Sequence, residues 1–152
     1  MSKTISAGIL LEHNGLFLLG HPTELTGTTN GWGILKGKVD GDEYLASAAL
    51  REFKEESNID LTVPPYSYGM VYAHRPFFKF DVGNKKTVYV FWFLDTAGTV
   101  FKANLSCPSL VTGTDKPEID KYLWVTSEEA QVLVADSQKE LFEQVAKLTA
   151  IK

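Results

Sequence analysis

The residues best suited to chemistry are three glutamates. Glu52, Glu55 and Glu56 stand at i, i+3 and i+4 in a stretch, Glu43 to Ser57, that holds no glycine or proline. At about 100° per residue on a helix they share one stripe. Like charges at that spacing repel and weaken a helix. A hard divalent cation would turn the repulsion into a binding site. Mg²⁺ suits it, because it takes oxygen ligands and retains waters and substrate phosphates. The ordinary alternative is a solvated acidic face, partly compensated by Arg51 and Lys54. The surrounding spacing favours a site: Gly37, then Glu43, Arg51-Glu52, Phe53, Glu55-Glu56, Asn58 and Ile59. Asp40-Gly41-Asp42 lacks the spacing of a calcium loop, and Asp42 reads as an N-terminal helix cap or a turn. His13, His21 and His74 show no metal-ligand spacing.

This run resembles the signature of the Nudix hydrolases, Gly-x5-Glu-x7-Arg-Glu-apolar-x-Glu-Glu-x-Gly-apolar. The departure is Asn58 in place of glycine, and asparagine is the next best residue for a left-handed position. The resemblance implies a Nudix fold, an α+β sandwich with a mixed sheet between helices and a loop–helix–loop box. It also implies hydrolysis of nucleoside diphosphates linked to another moiety, with Mg²⁺ or Mn²⁺ as cofactor. Carried over, Glu52, Glu55 and Glu56 are metal ligands, joined by the Gly37 carbonyl. Arg51 orients the glutamates, and Glu43 and Asn58 support the box.

Beyond the box, Trp32 to Asp40 resembles a run of the diadenosine-tetraphosphate hydrolase subgroup, with Leu35 in place of proline and Lys38 in place of histidine. Lys36 and Lys38 are phosphate-contact candidates. Lys85 to Tyr89 and Pro117 to Trp124 are similar to two further runs of that subgroup. The second places Glu118 six residues before Trp124, as an extra metal ligand or as the general base, a role for which it competes with Glu52. There is similarity also to bacterial nucleoside-triphosphate pyrophosphohydrolases. Arg75 is a further phosphate-contact candidate, and Tyr89 a candidate for the substrate site in a region rich in aromatics. The substrate expected from the resemblance is a dinucleoside polyphosphate, with nucleoside triphosphates and ADP-ribose as alternatives. A nucleotide-binding sensor that does not hydrolyse is the reading from another class.

These residues need a scaffold. Ile5 to Leu11 and Leu16 to Leu19 read as strands joined at Asn14-Gly15, a dipeptide suited to a tight hairpin turn. Pro22 to Gly33 reads as a loop, and Gly37 to Asp42 as another. Ala46, Ala49, Leu50 and Phe53 give the Glu43–Ser57 helix its core face, and Asn58 ends it. Tyr68 to His74 and Lys86 to Leu94 read as strands, the second apolar on both faces. Asn104 to Pro117 reads as a loop and Tyr122 to Val125 as a last strand. Thr126 to Glu129 and Ser137 to Glu140 fit capping boxes. The second opens a helix with Leu141, Val145 and Leu148 on one side.

Composition fits this scaffold. The chain has 152 residues, 44% hydrophobic and 22% charged, as expected for one globular domain, 1–152. The net charge of -4 argues against general nucleic-acid binding. No apolar run approaches the roughly 20 residues that span a bilayer. The N-terminus has no signal-peptide pattern. The single cysteine, Cys107, excludes an intrachain disulfide. A cytoplasmic location is therefore expected, the resemblance implies a nucleotide partner, and the sequence sets no oligomeric state.

Overall fold

A computed structural model describes residues 3–23 and 31–149. The strands are β1 (Thr4–His13), β2 (Leu16–Pro22), β3 (Leu35–Lys38), β4 (Met70–Tyr72), β5 (Phe78–Val82), β6 (Lys86–Asp95) and β7 (Ile119–Val125). The helices are α1 (Leu45–Ser57), α2 (Ser127–Leu133) and α3 (Lys139–Thr149), and a 3-10 turn at Asp136–Gln138 leads into α3. All strands join one mixed sheet. At its centre β1 and β6 run parallel, in register from Thr4 with Lys86 to Glu12 with Leu94. The outer edge of β1 is shared: β3 pairs with its first half and β2 with its end. The outer edge of β6 is shared in the same way by β5 and β4.

Side chains alternate across β6, and both faces are buried. Phe91 and Phe93 pack with Ala7, Ile9, Leu11 and the α1 residues Ala49 and Phe53. Val88 and Val90 pack on the other side with Leu10, Phe17, Leu141, Phe142 and Val145. The sheet is thus sandwiched between α1 and the α2–α3 pair. A parallel strand buried on both faces reads as a continuous apolar run for this reason. Burying one such large side chain is worth about 1.5–3 kcal/mol.

Local signals were met at several points. Asn14 and Gly15 both take positive φ. Asn58 closes α1 in the left-handed region at φ 63°, with its N–H donating to the Lys54 carbonyl. Thr126 and Glu129 form the reciprocal capping box of α2.

Other expectations are corrected. Helix α1 begins at Leu45 with Tyr44 at its cap position, so of the two readings of Asp42 the structure takes the turn and not the cap. The reason is a turn, Glu43 N–H to Asp40 carbonyl at 2.9 Å, that keeps Glu43 outside the helix. Ser137 makes no cap, because it lies inside the 3-10 turn. Leu148 is half exposed instead of belonging to the core. Residues 78–82 form a strand that the sequence did not announce, and Gly37 lies in β3, not in a loop.

Candidate active site

Helix α1 crosses the sheet over β1 and β3, so its C-terminal half hangs beside the β3 edge. Glu56 is 6% exposed. Its Oε1 accepts from the backbone N–H of Lys36 in β3 at 3.0 Å. Burial, and then the neighbouring Glu52, push its carboxyl up to about 8, and Glu118 adds to the rise. Glu52 is shifted upward too, by burial first and by Glu55 and Glu118, against the pull of Arg51. Glu52, Glu55 and Glu56 thus share one acidic corner, with Glu118 close enough to act on it electrostatically.

Gly37 explains how tightly the corner is built. A Cβ on Gly37 would stand 2.0 Å from the Glu52 carboxyl carbon. Only a residue without a side chain lets α1 press its carboxylate onto the β3 backbone.

Arg51 is the hub of the corner. It donates to Glu43 through Nε at 2.8 Å, and through Nη1 to Glu52 at 2.8 Å and Glu55 at 2.5 Å. Its Nη2 reaches the Lys38 carbonyl at 2.8 Å. These carboxylates hold the guanidinium well above its ordinary range, that of Glu43 most strongly. Glu43 is held below the usual carboxylate range by the same bond.

Glu118 arrives from the start of β7 and accepts from the Ser109 hydroxyl. Glu56 and Glu118 line a groove of about 570 Å³. Lys36, Lys38 and Lys86 line the same groove, with Ser6 and Gln138. Burial and the nearby Lys86 keep the Lys36 ammonium below its usual range, while Glu56 and Glu52 oppose this. Acids and cations therefore face each other across one opening.

Of the residues singled out in the sequence, Gly37, Glu43, Arg51, Glu52, Glu55, Glu56 and Asn58 fall together as the box spacing requires. Glu118, Lys36 and Lys38 reach the groove. Arg75 and Tyr89 do not line it. Arg75 is exposed in the turn after β4. Tyr89 follows the alternation of β6 and points to the α1 face with Phe91 and Phe93.

Two groove residues escaped sequence reasoning. Lys86 was visible as part of the Lys-Thr-Val run but carried no signal of its direction. Gln138 is 4% exposed and its Oε1 accepts from the Ile34 N–H at 3.0 Å. That bond fixes the amide, so Nε2 is the end left for another partner. No sequence pattern marks such a residue.

A NUDIX domain family model matches residues 2–147. The chain belongs to the NUDIX family. It is thereby a pyrophosphohydrolase by class, and its mixed sheet between helices is the Nudix fold. Three solved structures illustrate the likeness. The C. elegans Ap4A hydrolase, solved as a binary complex, is 18% identical with a TM-score of 0.70, over 97% of this chain and 99% of that one. The MutT protein of Methanosarcina mazei Go1 is 23% identical with a TM-score of 0.66, over 98% of each. The NUDIX domain of Shewanella oneidensis NrtR, complexed with ADP ribose, is 15% identical with a TM-score of 0.65, over 98% of this chain and 90% of that one. No curated protein matches the chain by sequence.

Nudix hydrolases generally work with divalent metals, and the donor set of this Nudix protein fits one. Crowded carboxylates, two of them shifted upward by burial and by one another, are the hard-oxygen ligands such an ion takes. Among the described residues no three acidic, histidine or cysteine side chains are already grouped as a cation cage. Arg51 engages Glu52 and Glu55, and the Lys36 N–H engages Glu56. No helix among the described residues is long and apolar enough to cross a membrane.

Proposed function

We propose that this Nudix protein is a Mg²⁺-dependent pyrophosphohydrolase of the cytoplasm, acting as a single domain on a dinucleoside polyphosphate. The observation that carries the reading is the groove itself, where Glu56 and Glu118 face Lys36 and Lys86. A polyphosphate chain with its counter-cation has that charge pattern. The resemblance of the Trp32–Asp40, Lys85–Tyr89 and Pro117–Trp124 runs to the diadenosine-tetraphosphate hydrolase subgroup supports the substrate. The similarity to the C. elegans Ap4A hydrolase agrees.

Glu52, Glu55, Glu56 and Glu118, with the Gly37 carbonyl, are the residues that would hold the metal, and Mn²⁺ would serve in its place. A bound divalent ion neutralises phosphate charge and lowers the pKa of an attacking water. The protein's own groups do the rest. Lys36, Lys38 and Lys86 hold the phosphate chain by charge. Arg51 keeps Glu52 and Glu55 aligned, and Glu43 keeps Arg51 aligned. A water is deprotonated by Glu52 or Glu118. Positioning of this kind dominates phosphoryl transfer, which asks little covalent chemistry of the protein.

The test is a substrate panel with product identification, run with Mg²⁺, with Mn²⁺ and after chelation. Diadenosine polyphosphates, nucleoside triphosphates, ADP-ribose and capped RNA form the panel. Diadenosine polyphosphates should give the highest kcat/KM, and chelation should abolish turnover. A preference for triphosphates or ADP-ribose would move the substrate assignment, and tight binding without hydrolysis would make the protein a sensor.

A further inference from the structure

The segment between β6 and β7 meets the end of α1 over residues 106–109 and carries Glu118 at its own end. Ser109 bonds three ways. Its backbone N–H donates to the Glu55 carbonyl at 3.2 Å, and its carbonyl accepts from the Glu118 N–H at 2.9 Å. Its hydroxyl donates to the Glu118 carboxylate. Residues 109–118 form a small hairpin, closed further by the Val111 N–H to Lys116 carbonyl bond at 2.9 Å. One arm is fastened to the last turn of α1 and the other carries Glu118.

The fastening is reinforced on both sides. Ser106 N–H donates to the Ser57 carbonyl at 3.3 Å. Cys107 Sγ lies 3.6 Å from the Glu55 carbonyl. Tyr122, on the strand that Glu118 leads into, donates to the Glu56 carbonyl at 2.5 Å. The last carbonyls of a helix have no partner within it. Here they serve as the anchor points of the Glu118 hairpin.

A lone glutamate at the start of a strand would swing among rotamers, and Glu52 and Glu56 would repel its carboxylate outward. The Ser109 hydroxyl opposes both. It gives the carboxylate a charge-assisted bond, the stronger kind, from a residue whose backbone is locked to the same helix that carries Glu55 and Glu56. We propose that Ser109 is the positioning residue of this active site, setting the distance of the Glu118 carboxylate from the glutamates of α1. This rests on the role given to Glu118 above. Ser109 touches no reacting atom and acts through Glu118.

The experiment is a double-mutant cycle of Ser109→Ala and Glu118→Gln, with Ser109→Thr as the conservative variant. It is read by kcat, KM and Tm on diadenosine tetraphosphate with Mg²⁺, and by a crystal structure of Ser109→Ala. Alanine leaves both backbone bonds of residue 109 in place. From the usual worth of a hydrogen bond to a charged group, kcat should fall roughly 10-fold or more in Ser109→Ala. KM should stay within about twofold and Tm should be unchanged, as expected when only orientation is lost. Threonine should restore most of the rate. In the Glu118→Gln background the alanine should add less than about a twofold loss, since residues acting as one unit are not additive. In the crystal the Glu118 carboxylate should leave its place facing Glu56. Equal losses in both backgrounds, an unchanged kcat, or an unmoved carboxylate would overturn the inference. A silent Glu118→Gln in an active enzyme would overturn it as well. A wild-type protein that cleaves nothing on the panel would remove the functional reading instead.

Discussion

Among the described residues two carboxyl groups are buried, and the fold treats them in opposite ways. Asp95, at the end of β6, is 0% exposed. Its oxygens accept from the backbone N–H groups of Thr99, Val100 and Phe101 at 3.2, 3.1 and 3.0 Å. Its own carbonyl accepts from His13 Nδ1 at 2.7 Å. Glu56, in α1, is buried almost as deeply but accepts a single backbone N–H, and its near neighbours Glu52 and Glu118 are acids. A buried carboxyl group that is fully hydrogen-bonded organises a loop. One left short of partners among other acids is a group awaiting a partner. The contrast separates an acid that holds a loop from an acid short of partners without reference to any motif.

The largest test of that contrast is Glu56→Gln. Turnover should fall by about 10³-fold at saturating Mg²⁺, the scale of losing a group that stabilises transition-state charge, while circular dichroism stays native. The comparable change at the other site, Asp95→Asn, should leave kcat within about twofold, because no N–H bonded to Asp95 reaches the groove.

The second test is stability against pH in metal-free protein. Glu56 has its pKa raised to about 8 from 4.5. Between those values the folded state holds a proton that the unfolded state has released. The unfolding free energy therefore falls as pH rises through that window, by an order of a few kcal/mol in total. Denaturant titrations at pH 5 and pH 8 should show the fall in wild type and a smaller one in Glu56→Gln. Equal slopes would end the comparison, because Glu56 would then be no worse satisfied than Asp95.

Third, Asp95→Asn should lower stability by about 2–3 kcal/mol, since an amide nitrogen would meet N–H donors with no acceptor to offer. The smallest effect belongs to Gly98, whose φ of +73° and whose missing Cβ, 2.8 Å from His13, both require glycine. Gly98→Ala should cost about 1–2 kcal/mol and leave turnover intact. A loss of activity in either variant, measured per folded molecule, would mean that the two regions are coupled.

How much of this was readable in the sequence follows the range of the interactions. The Glu52, Glu55, Glu56 stripe and the left-handed stop at Asn58 depend on residues within one helix, and the spacing carried them. Glu118 was singled out by the resemblance of Pro117–Trp124 to a run with a glutamate six residues before tryptophan, and it lines the groove. The alternation of β6 was evident, but which face meets the groove was not: Lys86 lines it and Tyr89 does not. Strand β5 has the burial pattern ieBee, and one buried position in five is too few to mark a strand. Lys86, Ser109 and Gln138 owe their places to chain neighbours made by the fold. No local rule anticipates a serine that meets a helix end 54 positions upstream and a glutamate 9 positions downstream.

The shared outer edge of β1 has a consequence for how such a protein diversifies. Its inner edge is committed to β6 over nine consecutive register pairs. Its outer edge is divided between β3, which bears Gly37 and Lys36, and β2. The acidic corner depends on the first partner, whose Gly37 lies against Glu52 and whose Lys36 N–H meets Glu56. A lineage can therefore vary the β1–β2 turn at Asn14-Gly15, at the far end of β1, while the corner built on β3 is inherited intact.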